Sequence, residues 1–142
     1  MHEVVVFDTN VLISALLSSR GAPFRCLALA KTGAIQSVTC PEIMDEFSEK
    51  LVSKFGFTQA ESQTAVHEVE SISSVVTIVG SLQVLADADD DKVLECAVVG
   101  LATHVVSGDR RHVLPLGTFQ GIRIVSPADF LASLGTSNQM GT

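Results

Sequence analysis

Two short apolar runs in this chain each close on an aspartate. Val4-Val5-Val6-Phe7 leads straight into Asp8, and His104-Val105-Val106-Ser107-Gly108 leads into Asp109. The first run is too short for a stable isolated helix. It also lacks the alternation of a strand that is wet on one face. A continuous β-branched run of this length reads as a strand buried on both faces, which is the habit of parallel sheets sandwiched between helices. In an open parallel sheet, residues just past the carboxyl ends of strands line a common crevice. The two aspartates are therefore expected at the same edge of one sheet.

The rest of the chain alternates helical and strand-like stretches. Asp8-Thr9-Asn10 turns the chain, with Asn10 as the expected cap of a helix over 11–18. Pro23 opens a second helix that stops near Gly33, and 34–39 reads as the second strand. Pro41 starts a helix over 42–53, in which Ile43, Phe47 and Leu51 recur every four residues and Met44 and Val52 widen the stripe. Thr58 and Glu61 stand in capping-box register for a helix to about Ser73. Residues 75–79 form the expected third strand. A helix from Asp89 or Asp90 to about Leu101 buries Val93, Leu94, Ala97 and Val98. Residues 103–107 and 122–125 are the fourth and fifth strands. Ser126-Pro127 begins a last helix over 128–134, and 135–142 reads as a frayed, disordered tail. Strands alternating with helices imply an α/β fold with a mostly parallel five-stranded sheet, in one domain over 1–134.

Composition fits this reading. Hydrophobic residues make up 46% and charged residues 18% of 142, which argues against disorder in the body of the chain. No apolar run is long enough to span a bilayer. The start Met1-His2-Glu3 lacks a basic leader segment, so a cytoplasmic protein is expected, with no membrane partner. Cys26, Cys40 and Cys96 have apolar neighbours and no paired spacing, and read as buried core thiols. His104 reads as a strand residue and His67 as a helix-surface residue. His112 stands close enough to Asp109 for a minor role there.

The acids carry the chemistry. Glu42, Asp45, Glu46 and Glu49 share one helical face, and Glu46, next to the core residue Phe47, is the one best placed to reach inward. The run Asp87-Ala88-Asp89-Asp90-Asp91-Lys92 holds more acids than a helix cap and dipole require. Spacing alone leaves open which of them faces the crevice. Asp109, followed by Arg110-Arg111, could equally be a turn residue paired with arginine. Carboxylates drawn together from separate segments repel strongly. A divalent cation relieves that repulsion, and an all-oxygen donor set suits Mg²⁺ or Mn²⁺. Such sites commonly act on phosphate esters. A net charge of −7 is by itself adverse to nucleic acid, but four site acids account for more than half of it. Arg20, Arg25, Lys50, Lys54, Arg110 and Arg111 could edge a groove.

In this order and spacing the segments resemble PIN-domain ribonucleases, most closely the VapC-like toxin components. The resemblance runs from Val4 to about Leu134. Val5-Val6-Phe7-Asp8-Thr9-Asn10-Val11-Leu12-Ile13 is similar to the family's opening strand and first acid. Glu46 takes the second acid. In similar sequences Asp87-Ala88-Asp89-Asp90-Asp91-Lys92 reads Asp-Pro-x-Asp-Asn-Lys, which gives the third acid to Asp90 and sets Asp91 where Asn is frequent. Asp109 in Val105-Val106-Ser107-Gly108-Asp109 takes the fourth. The resemblance implies a three-layer α/β/α sandwich and Mg²⁺- or Mn²⁺-dependent hydrolysis of single-stranded RNA, leaving a 5′ phosphate and a 3′ hydroxyl. Asp8, Asp90 and Asp109 would hold metal, and Glu46 would complete the catalytic set. Asn10, Ser107, Asp87 and Asp91 are candidates for supporting positions around it. The resemblance also implies a homodimer, which the mean hydropathy of +0.40 favours, and a small antitoxin protein as partner.

Two other families begin similarly. A phosphohydrolase of the haloacid-dehalogenase type needs a second Asp two residues after the first, where this chain has Asn10. A receiver domain needs a lysine at a late strand end, and neither 105–108 nor 122–125 supplies one. An inactive PIN fold serving as an RNA- or protein-binding module is the remaining alternative, and retention of all four acids speaks against it.

Overall fold

The computed structural model describes residues 2–140, with side chains described to residue 135. Six strands form one sheet: β1 (Val4–Phe7), β2 (Gln36–Thr39), β3 (Ser73–Val75), β4 (His104–Val106), β5 (Thr118–Phe119) and β6 (Ile122–Val125). Their order is β3-β2-β1-β4-β6-β5, parallel except for the β5–β6 pair. Helices α1 (Thr9–Leu17), α2 (Ala22–Lys31), α3 (Pro41–Phe55), α4 (Gln59–Ser71), α5 (Ala88–Val99) and α6 (Pro127–Met140) flank it. The α/β sandwich with a mostly parallel sheet is as expected; the sheet has six strands rather than five. The extra strand, β5, is only two residues long and folds back on Ile122 through Gln120-Gly121, both at positive φ. A run that short carries no periodicity to read.

The first strand is covered on both faces, as its composition demands: Val5 and Val6 are fully buried and Phe7 is 2% exposed. The α3 stripe behaves likewise, with Ile43, Phe47 and Leu51 all in the core. Burying each contributes roughly 1.5–3 kcal/mol. Thr58 and Glu61 form the full capping box at the start of α4. Cys26, Cys40 and Cys96 are buried free thiols.

Three elements differ from expectation. The third strand is Ser73–Val75, not 75–79. It pairs with β2 from Ser37↔Ser73 to Thr39↔Val75, and the Val76 N–H makes a last bond to the Thr39 carbonyl at 2.9 Å before the chain leaves the sheet. The N–H groups of Val79, Gly80 and Leu82 go instead to the Glu95 carboxylate, at 2.8, 2.9 and 3.1 Å. Asn10 is not a cap; Asp8 holds the N-cap position of α1, and Asn10 lies inside the helix with its side chain exposed. The last helix runs on to Met140, past the expected end at 134. The expectation of a tail for Gly141 and Thr142 falls outside the described residues.

The chain moves from β1 outward through β2 to β3, then crosses to the other side of β1 for β4 and β6. Connections therefore diverge between β1 and β4. That divergence opens a crevice at the carboxyl ends of these two strands.

Candidate functional site

Asp8 follows β1 and Ser107 follows β4, and the register Phe7↔Val106 places them side by side. The Ser107 hydroxyl donates to Asp8 Oδ2 at 2.8 Å, inside the protein. Asp8 is 7% exposed. Burial, the largest influence, pushes its carboxyl above the ordinary range, against the Ser107 hydrogen bond, and Glu46 adds to the rise. Ser107 also accepts from the Asp109 backbone N–H at 3.1 Å, so one hydroxyl links both strand-end aspartates.

Asp109 is fixed by its own loop. Its Oδ1 accepts from the backbone N–H groups of Arg111 and His112 at 2.9 and 3.0 Å. Its Oδ2 lies 3.4 Å from His112 Nδ1. Burial works to raise its pKa, but the N–H groups of His112 and Arg111 together hold the carboxyl below its ordinary value. His112 thus does touch the candidate site.

Asp90 enters from the first turn of α5. Burial first, and then repulsion from Asp8, Asp87 and Asp109, push its pKa up to about 6, with His112 opposing. The same influences show that three of the four candidate acids, with Asp87, share one electrostatic environment. Asp87 is the N-cap of α5 and accepts from the Asp89 N–H at 2.8 Å.

Glu46 projects from α3 beside this group. The Thr9 hydroxyl donates to its Oε2 at 2.5 Å, and Lys50 lies 3.3 Å from its Oε1. Lys50 also acts on Asp8, holding its pKa down in part. Lys50, one of the bases expected to edge a groove, is here paired with Glu46, at the i,i+4 spacing that pairs charges on a helix.

Asp91 does not support the crevice. It is 6% exposed, and its Oδ1 accepts from the Val84 and Leu85 N–H groups at 3.0 and 2.7 Å. Consecutive residues on a helix point about 100° apart, so Asp90 and Asp91 face different surroundings. Asn10 lines an open groove next to Asp109. The enclosed apolar cleft among α1, α2, α3 and α4 contains none of the four acids.

Among the described residues, no three His, Cys, Asp or Glu side chains stand ready-made around an ion. The donor chemistry nevertheless fits a hard divalent cation. The candidate ligands are all oxygen, and Asp8 and Asp90 carry raised pKa values where their charges go uncompensated.

The molecule is thus a mostly parallel α/β domain in which Asp8, Asp90 and Asp109 influence one another at the switch point of the sheet. A family model described as the PIN domain matches residues 4–111. The chain belongs to the PIN domain family, whose members are generally nucleases. It is 30% identical over 110 residues to an uncharacterized protein of Methanocaldococcus jannaschii, covering 75% of this chain and 70% of that one. The structure is similar to that of the T. brucei RRP44 PIN domain, with a TM-score of 0.54 and 14% identity over 98% of this chain and 84% of the other. That likeness concerns the fold. Family membership sets aside the haloacid-dehalogenase-type alternative. No helix among the described residues is long and apolar enough to cross a membrane.

Proposed function

We propose that this protein is a metal-dependent endoribonuclease that hydrolyses phosphodiester bonds in single-stranded RNA. The observation that carries the reading is the grouping of Asp8, Asp90 and Asp109 at one sheet edge, where burial first and then repulsion from Asp8, Asp87 and Asp109 push the Asp90 pKa up to about 6. Such a grouping is costly without a cation. Asp8, Asp90 and Asp109 would hold Mg²⁺ or Mn²⁺, which supplies charge neutralisation at the scissile phosphate and acidifies water there.

The chain's own residues set the stage for that chemistry. Ser107 holds Asp8 Oδ2 and the Asp109 backbone in one arrangement. The N–H groups of Arg111 and His112 favour the ionised form of Asp109. Thr9 and Lys50 engage one oxygen each of Glu46, orienting its carboxylate at the crevice edge. Glu46 there orients the attacking water.

Purified protein is expected to cleave a single-stranded RNA with Mg²⁺ or Mn²⁺ and to be silent in excess EDTA. Full cleavage in EDTA refutes the metal requirement, and no cleavage of any RNA under either condition favours a binding module instead.

Resemblance to VapC-like sequences supports a toxin role, with a small antitoxin protein as partner. An adjacent reading frame for a small protein is the observation that decides between a toxin and an RNA-processing enzyme. We also read the active form as a homodimer. Leu17, Val99 and Leu101, at 50%, 47% and 83% exposure, supply apolar surface that a second copy could cover. Light scattering at micromolar concentration should give twice the chain mass of 15.0 kDa; the single-chain mass rejects the dimer.

A further inference from the structure

The groove beside Asp109 has features that the carboxylates do not explain. It is an open groove of about 530 Å³, lined by Asn10, Ser14, Pro23, Arg110, Arg111 and Pro127, among others. Both arginines are exposed. Among the described residues, neither guanidinium is paired with a carboxylate. The chain holds 16 acids against 9 lysines and arginines. Two adjacent arginines without acid partners, next to a cluster of acids, are therefore conspicuous. Their backbone is also tied to the crevice, because the Arg111 N–H donates to Asp109 Oδ1 and the Asp109 N–H donates to Ser107. A group bound by these arginines would be held in register with the acids.

The lining also restricts what that group is. Planar guanidinium groups suit phosphate. No aromatic side chain lines the groove, and the chain has no Trp or Tyr. A platform for stacking bases is absent from this wall, so recognition there rests on the backbone of the strand. Asn10 and Ser14 add uncharged hydrogen-bonding groups, and Pro23 and Pro127 add apolar surface suited to sugar.

We infer that this groove holds the sugar-phosphate backbone of the single-stranded substrate next to the scissile bond, with Arg110 and Arg111 each meeting one phosphate. The inference rests on the nuclease reading of the acids. It makes the two arginines positioning residues that act without regard to base identity.

The test uses labelled single-stranded homopolymers of RNA and DNA, with full-length Asp90→Asn protein to prevent cleavage. Affinity is followed by fluorescence anisotropy in Mg²⁺ across a salt series, and KM and kcat are measured in the parent. Arg110→Ala/Arg111→Ala should weaken binding roughly tenfold and lower the salt slope by about 1.4, at about 0.7 per phosphate on a single strand. The loss should be alike for each base, KM should rise, and kcat should hold. Arg123→Ala, toward the opposite end of the sheet on β6, should change none of these. If the unsubstituted background binds but the double variant binds equally well with the same slope, the groove assignment is overturned while the nuclease reading stands. A loss that depends on the base overturns it too. If no single strand binds or is cleaved at all, both readings fall together.

Discussion

Asp90→Asn is expected to reduce RNA cleavage by at least about a hundredfold, the scale for losing one preorganised electrostatic group at a reacting centre. The same change is expected to raise the melting temperature of the metal-free protein at neutral pH. Its carboxyl ordinarily titrates at 3.8 and is pushed up to about 6 in the folded chain. The folded state therefore binds the proton more tightly than the unfolded state. The stability tied to that proton is complete below 3.8 and is lost as pH rises through about 6. Above pH 6 the unsubstituted protein bears the full cost of a half-buried charge among other acids, and Asn removes it. The gain in melting temperature should be clear at pH 7.5 in EDTA and close toward pH 4. Asp8→Asn should behave similarly, since its pKa is also raised. Asp109→Asn should lose activity without gaining stability, because backbone N–H groups already favour its charged form. An active Asp90→Asn variant, or one melting lower than its parent at pH 7.5 in EDTA, contradicts this account.

The second large effect concerns a residue outside the crevice. Glu95→Ala should destabilise the fold by about 3 kcal/mol, because three backbone N–H groups in a partly buried place lose a charged acceptor. For a domain of this size that is roughly 10 °C in melting temperature. The N–H groups of Leu82, Gly80 and Val79 hold the Glu95 carboxyl below its ordinary 4.5. Its contribution is therefore present above 4.5 and lost as pH falls through the lower folded value. The difference between parent and variant should persist at neutral pH and shrink only in stronger acid. Equal melting temperatures at pH 7 would show that the loop finds other acceptors.

How much of this was legible in the sequence depended on the range of the interaction. Val4–Phe7 announced a doubly buried strand because its composition and length admit little else. Thr58 and Glu61 announced a helix start because the capping box is complete within four residues. The acids at 8 and 109 could be placed at one edge because both end strands of one sheet. Long-range contacts left weaker traces. The valines at 75–79 suggest a strand, yet Glu95 competes for the backbone sixteen residues away. Asp91 looks like part of an acidic run, yet its carboxylate answers to Val84 and Leu85. Nothing local separates it from Asp90 except the turn of the helix. Asn10 has the chemistry of a cap, but Asp8 takes that position because the helix begins directly at the strand end.

The grip of Asp91 and Glu95 on the segment before α5 also bears on how the molecule breathes. Residues 79–85 have no regular secondary structure, and such segments ordinarily open readily. Here five of their amides donate to two carboxylates of α5. These amides should exchange with solvent deuterium at the pace of α5 itself rather than at that of a surface loop. Loop and helix would then open as one cooperative unit, and because Asp90 rides on that helix, each opening would carry it away from Asp8 and Asp109.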